Sequence, residues 1–184
     1  LSFGFSFSQN SMEANYNIYN TRTKQIITID KIISDCASAD VLFFGEEHND
    51  SACHFLEAEI LKGLYNRFGD KIALSLEMFE TDNQLPLNEY LEGFIPEDRF
   101  AKDVRLWSNY KDYRPMIEFA KTNHIQVIAA NTPRRYVSMV SRLGMASLDN
   151  LSKEAKKLLP PLPYDTLSGR YREKFEEVMQ GSPG

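Results

Sequence analysis

The sequence predicts an α/β fold: a mainly parallel sheet with helices on both faces, an N-terminal hairpin and a helical C-terminal segment. Three observations lead there. Apolar runs at residues 41–44, 72–76 and 125–130 have the continuity of strands buried on both faces. Stretches of helical spacing separate these runs, and strands alternating with helices imply parallel pairing through helical crossovers. The length, 184 residues, is enough for one dominant core but not for two of full size.

Residues 15–20 and 25–30 flank the polar stretch Thr21-Arg22-Thr23-Lys24, as two short hairpin strands would. Helical spacing runs over 30–37, and the apolar run 41–44, ending at Gly45, is expected to be the first core strand. From 50 to 68, Cys53, Leu56, Ile60, Leu64 and Phe68 recur at steps of three and four, predicting an amphipathic helix that Gly69 stops. The strand 72–76 follows, then two short helices over 82–91 and 96–104, separated by Gly93 and Pro96. Pro115 suits the first position of a helix reaching about Lys121, ahead of the strand 125–130. Thr132-Pro133 reads as a cap and a helix-starting proline, and Gly144 closes the helix that carries Tyr136, Val137 and Val140.

Residues 148–159 look helical up to Pro160-Pro161-Leu162-Pro163, an extended segment. A last helix over about 166–179 carries Leu167, Tyr171, Phe175, Val178 and Met179 on a charged background. Three core strands make a small sheet for this architecture, so the domain over 16–184 is expected to be C-terminally incomplete. Residues 1–15 are expected to be an extension. Leu1, Phe3, Phe5 and Phe7 among small residues fit either the remnant of an export signal or a short strand with one apolar face.

Composition narrows the function classes. Hydrophobic residues at 42% and charged residues at 26% argue against a disordered chain and a membrane-embedded one. The 21 basic and 26 acidic residues give a net charge of -5, so nucleic acid is not an expected partner. Cys36 and Cys53 are too few for a disulfide scaffold and lack zinc-type spacing. No run of roughly 18 apolar residues occurs, so no transmembrane helix is expected.

Ligands of open parallel sheets bind beyond the carboxyl ends of the strands, and here those ends are polar. The first leads into Gly45-Glu46-Glu47-His48-Asn49-Asp50, the second into Glu77-Met78-Phe79-Glu80, the third into Asn131-Thr132-Pro133-Arg134-Arg135. Glu46 and His48 can serve as an acid/base pair or as two metal ligands. Glu47 and Asp50 are expected to be solvated, with Asn49 or Asp50 capping the next helix. Glu77 extends an apolar strand, so it is expected to be buried and to need Arg114, Arg134 or a metal as partner, a structural ion pair being the competing account. The start of the helix at Thr132, with Arg134 and Arg135, suits a carboxylate or phosphate, and an exposed basic turn fits equally. In Trp107-Ser108-Asn109-Tyr110-Lys111-Asp112-Tyr113-Arg114-Pro115, aromatic rings can line a flat ligand, Arg114 can clamp an acidic group, and a tyrosine phenolate can ligate ferric iron. Singly, Trp107 and Tyr110 are expected to pack into the core, and His54 and His124 to be structural or surface residues.

Gly45-Glu46-Glu47-His48-Asn49-Asp50, Leu76-Glu77-Met78-Phe79, Trp107-x-x-Tyr110-x-x-Tyr113-Arg114-Pro115 and Asn131-x-Pro133-Arg134 resemble, in that order, the bacterial ChaN-like haem-binding family. Its wider relatives include Tiki-type metalloproteases and erythromycin-esterase-like hydrolases. The resemblance spans about residues 16–180, most firmly from Val41 to Arg135. It implies an iron-regulated, exported protein of the bacterial cell envelope that binds haem for iron acquisition. Tyr113 or Tyr164 would be the iron ligand, Arg114 or Arg134 would pair with propionates, and Asn131 would join the pocket. Haem-mediated pairing of two copies is also implied. The alternative is a metal-dependent hydrolase in which Glu46, His48 and Glu77 hold a divalent ion that activates water. The hydrolytic relatives use a histidine near the C-terminus, and this chain has none after His124. A third reading is a non-catalytic envelope interaction module.

Overall fold

The computed structural model describes residues 16–164 and 168–180, which fall into two compact units, Leu1–Asn131 and Thr132–Gly184. The first unit opens with the hairpin of β1 (Ile18–Asn20) and β2 (Gln25–Ile27), in which Ile18 lies opposite Ile27. The Asn20 side-chain oxygen accepts from the amides of Arg22 and Thr23 and so closes the turn that the polar stretch predicts. Helix α1 (Ile29–Asp35) is capped by Thr28, whose hydroxyl oxygen accepts from the Lys31 amide. Helix α2 (Ser51–Phe68) is capped by Asp50, which accepts from the Ala52 amide at 2.7 Å. It ends at Gly69, whose φ of +64° is open to glycine at little cost.

Next come β3 (Ala73–Glu80), α3 (Gln84–Leu91), α4 (Glu97–Asp103), α5 (Tyr110–Thr122) and β4 (Gln126–Asn131). Strands β3 and β4 pair in parallel, Ala73 opposite Gln126 through Leu76 opposite Ala129, with an irregularity before Glu80 meets Asn131. The Gln84 side chain donates to the Val127 carbonyl and accepts from the Ala129 amide, satisfying polar groups that β4 would otherwise leave open. The core gathers around Phe79, Leu87, Phe100, Ile117 and Ala120, all fully buried. Tyr90 stacks on Phe100 with ring centroids 4.6 Å apart, and Phe79 meets the same ring edge-on.

Several expectations are corrected. Residues 41–44 form no strand: Val41, Leu42, Phe43 and Phe44 are exposed, Phe43 to 91%, and among the described residues the parallel sheet consists of the β3–β4 pair. A continuous apolar run declares a need for cover without specifying the strand that pairs with it. Helix α5 starts at Tyr110 rather than Pro115, because the carbonyls of Trp107 and Asn109 accept from the amides of Tyr110 and Asp112 and begin the helical turns earlier. Pro115 therefore lies inside the helix. Burial of Tyr113, Met116, Ile117 and Ala120 on one face supports the longer helix despite the missing amide.

In the second unit, α6 (Arg134–Leu143) begins directly after Pro133, without a side-chain cap from Thr132. The helix expected over 148–159 contracts to a tight turn at Met145–Asn150 and the short α7 (Lys153–Lys156), capped by Ser152. Helix α8 covers Arg170–Gln180. The readings of residues 1–15 and of the helix start at 166–167 lie outside the described residues. Among the described residues no helix is long and apolar enough to cross a membrane.

Candidate functional site

The turn after Gly45 delivers the site. Its backbone closes through the Asp50 amide, which donates to the Glu47 carbonyl at 2.9 Å. The carbonyl oxygen of His48 accepts twice, from His54 Nε2 at 3.0 Å and from Asn109 Nδ2 at 2.6 Å. The turn is thereby pinned both to α2 and to the start of α5.

Glu46 sits at the centre, its side chain 13% exposed. Its Oε1 accepts the Tyr113 hydroxyl and lies 2.5 Å from His48 Nδ1, while Oε2 lies 3.9 Å from His54 Nδ1. His54 Nδ1 is in turn 3.4 Å from Glu57 Oε2. Aromatic rings frame the group: His48 meets Trp107 edge-on at 4.7 Å and His54 meets Tyr113 edge-on at 4.6 Å.

Charge is distributed unevenly over this cluster. Burial first, and then the hydrogen bond and negative charge of Glu46, push the Glu57 carboxyl up to about 7. Burial would raise Glu46 as well, but hydrogen bonds with Glu57, Tyr113 and His48 outweigh it and hold Glu46 below the usual carboxylate value. The two acids are therefore driven in opposite directions, Glu57 up and Glu46 down. Burial acts to lower His54, yet its bond to the His48 carbonyl and the nearby Glu57 and Glu46 raise it overall. The Tyr113 hydroxyl is pushed well above the usual phenol value by burial and by Glu46.

Beside the cluster opens a cavity of about 860 Å³. Phe44, Leu64, Leu74 and Met116 give it apolar walls, and Glu46, His48 and Tyr113 form a polar end. Of the sequence candidates, these three are joined to one another through hydrogen bonds to Glu46.

Glu77 lines the same cavity but is not among the groups hydrogen-bonded to Glu46. It is exposed, with Ala73 and Ser75, on the open face of β3, while Leu76 and Met78 point to the core. Strand alternation, already visible in Ala73-Leu74-Ser75-Leu76-Glu77, explains this exposure. The buried acid of β3 is Glu80, held by Arg105 at 2.8–3.0 Å. Arg114 pairs with neither Glu77 nor the cluster; it grips Glu97 with two bonds of 2.5 and 2.7 Å. Asn131 is half-buried at the end of β4, and Arg134 is the exposed first residue of α6 in the second unit. Tyr164, also in the second unit, is half-buried just after the Leu162–Pro163 bond.

Two members of the cluster were not expected from the sequence as functional groups. His54 is buried and points into the cluster rather than serving the surface, and Glu57 lies beside it. Their signal was an H-x-x-E spacing on α2, which sets both side chains on one helical face.

Residues 32–184 match the family described as haem-binding uptake, Tiki superfamily, ChaN. Among curated proteins, the chain is 28% identical over 119 residues to RETICULATA-RELATED 5, a chloroplastic protein of Arabidopsis thaliana. That match takes in 62% of this chain and 16% of the plant protein. Among solved structures, one described as cofacial heme binding to ChaN of Campylobacter jejuni is similar with a TM-score of 0.67 at 16% identity. It covers 89% of this chain and 62% of the other, and at that identity the likeness shows the fold. The chain thus spans less than two thirds of the length of either relative.

Proposed function

Because the chain belongs to the haem-binding uptake family of the Tiki superfamily that includes ChaN, we propose that it binds haem. The family match over residues 32–184 carries this reading, and the cavity fits it. At about 860 Å³ it is in the size range of cofactor sites, with apolar walls for a flat macrocycle and a polar end for the metal. In this reading Tyr113 would be the residue that holds the ferric iron through its side-chain oxygen, which donates to Glu46 in this structure. Lys71, a cation lining the cavity, meets a propionate in place of Arg114, whose guanidinium is engaged by Glu97. Tyr164, Asn131 and Arg134 make up the second set of ligand and propionate contacts to be tested.

Iron acquisition at a bacterial cell envelope is the setting we propose from the resemblance, with two copies joined by face-to-face haems as the Campylobacter protein's description suggests. The 28% likeness to a chloroplastic plant protein favours a second setting, a plastid. Localisation of the tagged full-length protein separates the two.

Visible absorption during haem titration tests the binding. A saturable Soret shift is expected, with the tyrosinate charge-transfer band lost in Tyr113→Phe and kept in Tyr164→Phe. Phe43→Asp, on an exposed residue lining the cavity, is expected to weaken haem binding while changing stability by no more than about 0.5 kcal/mol. No saturable shift in the wild type would sink the proposal. A band lost only in Tyr164→Phe would move the ligand to the second unit. Mass measurement of the haem complex reads whether two copies pair.

A further inference from the structure

We propose that Glu46, His54 and Glu57 form a site for one divalent transition-metal ion, of the kind that zinc or cobalt fills, separate from any haem in the cavity. One ligand atom from each residue lies within 4.8 Å of the others. A tetrahedral ion with bonds of about 2.0–2.2 Å sets its ligand atoms about 3.3–3.6 Å apart. His54 Nδ1 is 3.4 Å from Glu57 Oε2 and 3.9 Å from Glu46 Oε2, so both edges from His54 are close to the ligand spacing of such an ion.

The orientation of His54 supplies an independent argument. Its Nε2 donates to the His48 carbonyl at 3.0 Å, which places a ring proton on Nε2. A metal-binding histidine is held in this way, its outer nitrogen tied to a carbonyl or carboxylate so that the inner lone pair aims at the ion. Here Nδ1 faces two carboxylates whose side chains are only 13% and 12% exposed. Lone pairs on three such atoms repel unless a proton or a cation stands among them. Among the described residues no lysine or arginine pairs with Glu46 or Glu57.

The division of labour within Glu46 leaves room for the ion. Oε1 is occupied by Tyr113 and His48, and Oε2 turns to His54. Glu46 and Glu57 both line the cavity, which provides an entry path and an open fourth position for water. An imidazole in the set favours transition metals over magnesium or calcium, which prefer oxygen ligands. The site differs from the set Glu46, His48 and Glu77, because it is the ligand atoms of His54 and Glu57 that gather with that of Glu46.

The test uses the full chain, stripped of metal by a chelator and free of haem, titrated with Co²⁺ and Zn²⁺. One ion per chain is expected, with visible Co²⁺ bands free of thiolate charge transfer, displaced by Zn²⁺ and not by Mg²⁺ or Ca²⁺. His54→Ala and the near-isosteric Glu57→Gln are expected to weaken binding about tenfold or more, and Glu77→Gln to leave it unchanged. Circular dichroism verifies folding, and Glu57→Gln decides the matter if His54→Ala unfolds. The proposal is overturned if the folded wild type takes up no stoichiometric ion. Wild-type affinity in Glu57→Gln, or thiolate bands from Cys36 or Cys53, would overturn it too. Because no haem is present, failure here and failure of the haem reading are separate results.

Discussion

The side chain of Asn109 donates to the backbone carbonyl of His48 at 2.6 Å, joining the turn ahead of α5 to the turn ahead of α2. Both turns border the polar end of the cavity, so this bond sets the spacing of His48 and Glu46 from Tyr113. His54 donates to the same oxygen. Asn109→Ala is therefore expected to cost only about 0.5–1.5 kcal/mol in urea unfolding, since one donor remains. The double variant Asn109→Ala/His54→Ala leaves the carbonyl without either donor and should lose more than the sum of the single losses. Simple additivity would show that the two bonds do not share one task.

Glu77 and Glu80 offer a direct comparison on one strand. Glu80 is buried and bonded to Arg105, whereas Glu77 is exposed. Glu80→Gln is expected to destabilise by about 1–2 kcal/mol, a value discounted because Arg105 is half-exposed. Glu77→Gln should stay within about 0.5 kcal/mol of the wild type. Reversal of this order in chemical denaturation would mean that β3 presents its other face to the core.

The pairing of Arg114 with Glu97 predicts a pH effect of definite sign. Hydrogen bonds from Arg114, opposed by slight burial, hold the Glu97 carboxyl below its usual value of 4.5. Its contribution to stability is fully present above the unfolded value and is lost as pH falls through the lower, folded one. The stability gap between wild type and Arg114→Ala should therefore be constant near neutrality and close on acidification. Carboxyl-carbon NMR should show the Glu97 midpoint rising in Arg114→Ala. An unmoved midpoint would mean that the two side chains do not pair in solution.

Much of the frame was legible in the sequence because its causes are local. The spacing of Ile60, Leu64 and Phe68 and the glycine at 69 define α2, and the polar stretch at 21–24 defines the hairpin. Glu46, His48 and Tyr113 stood out because glutamate, histidine and tyrosine carry chemistry, and the structure gathers them at one end of a cavity. The role of Arg114 was not legible, since its partner Glu97 is set by the packing of α4 and α5 rather than by spacing along the chain. In the sequence Glu57 is one of two acids on a long helix. Its meaning depends on Glu46, which arrives from a separate turn.

By itself the sequence determined the α/β class, the helices with strong periodicity, the family resemblance and the polar turn at Gly45. These depend on residue type and short-range spacing, through backbone preference and the one-sided burial of helices. Only the tertiary structure decided that residues 41–44 stay outside the sheet, that Glu80 rather than Glu77 is buried, and that His54 and Glu57 close around Glu46. Each of those outcomes turns on which distant group supplies a hydrogen bond, a countercharge or cover from water, and that choice is made only when the chain packs.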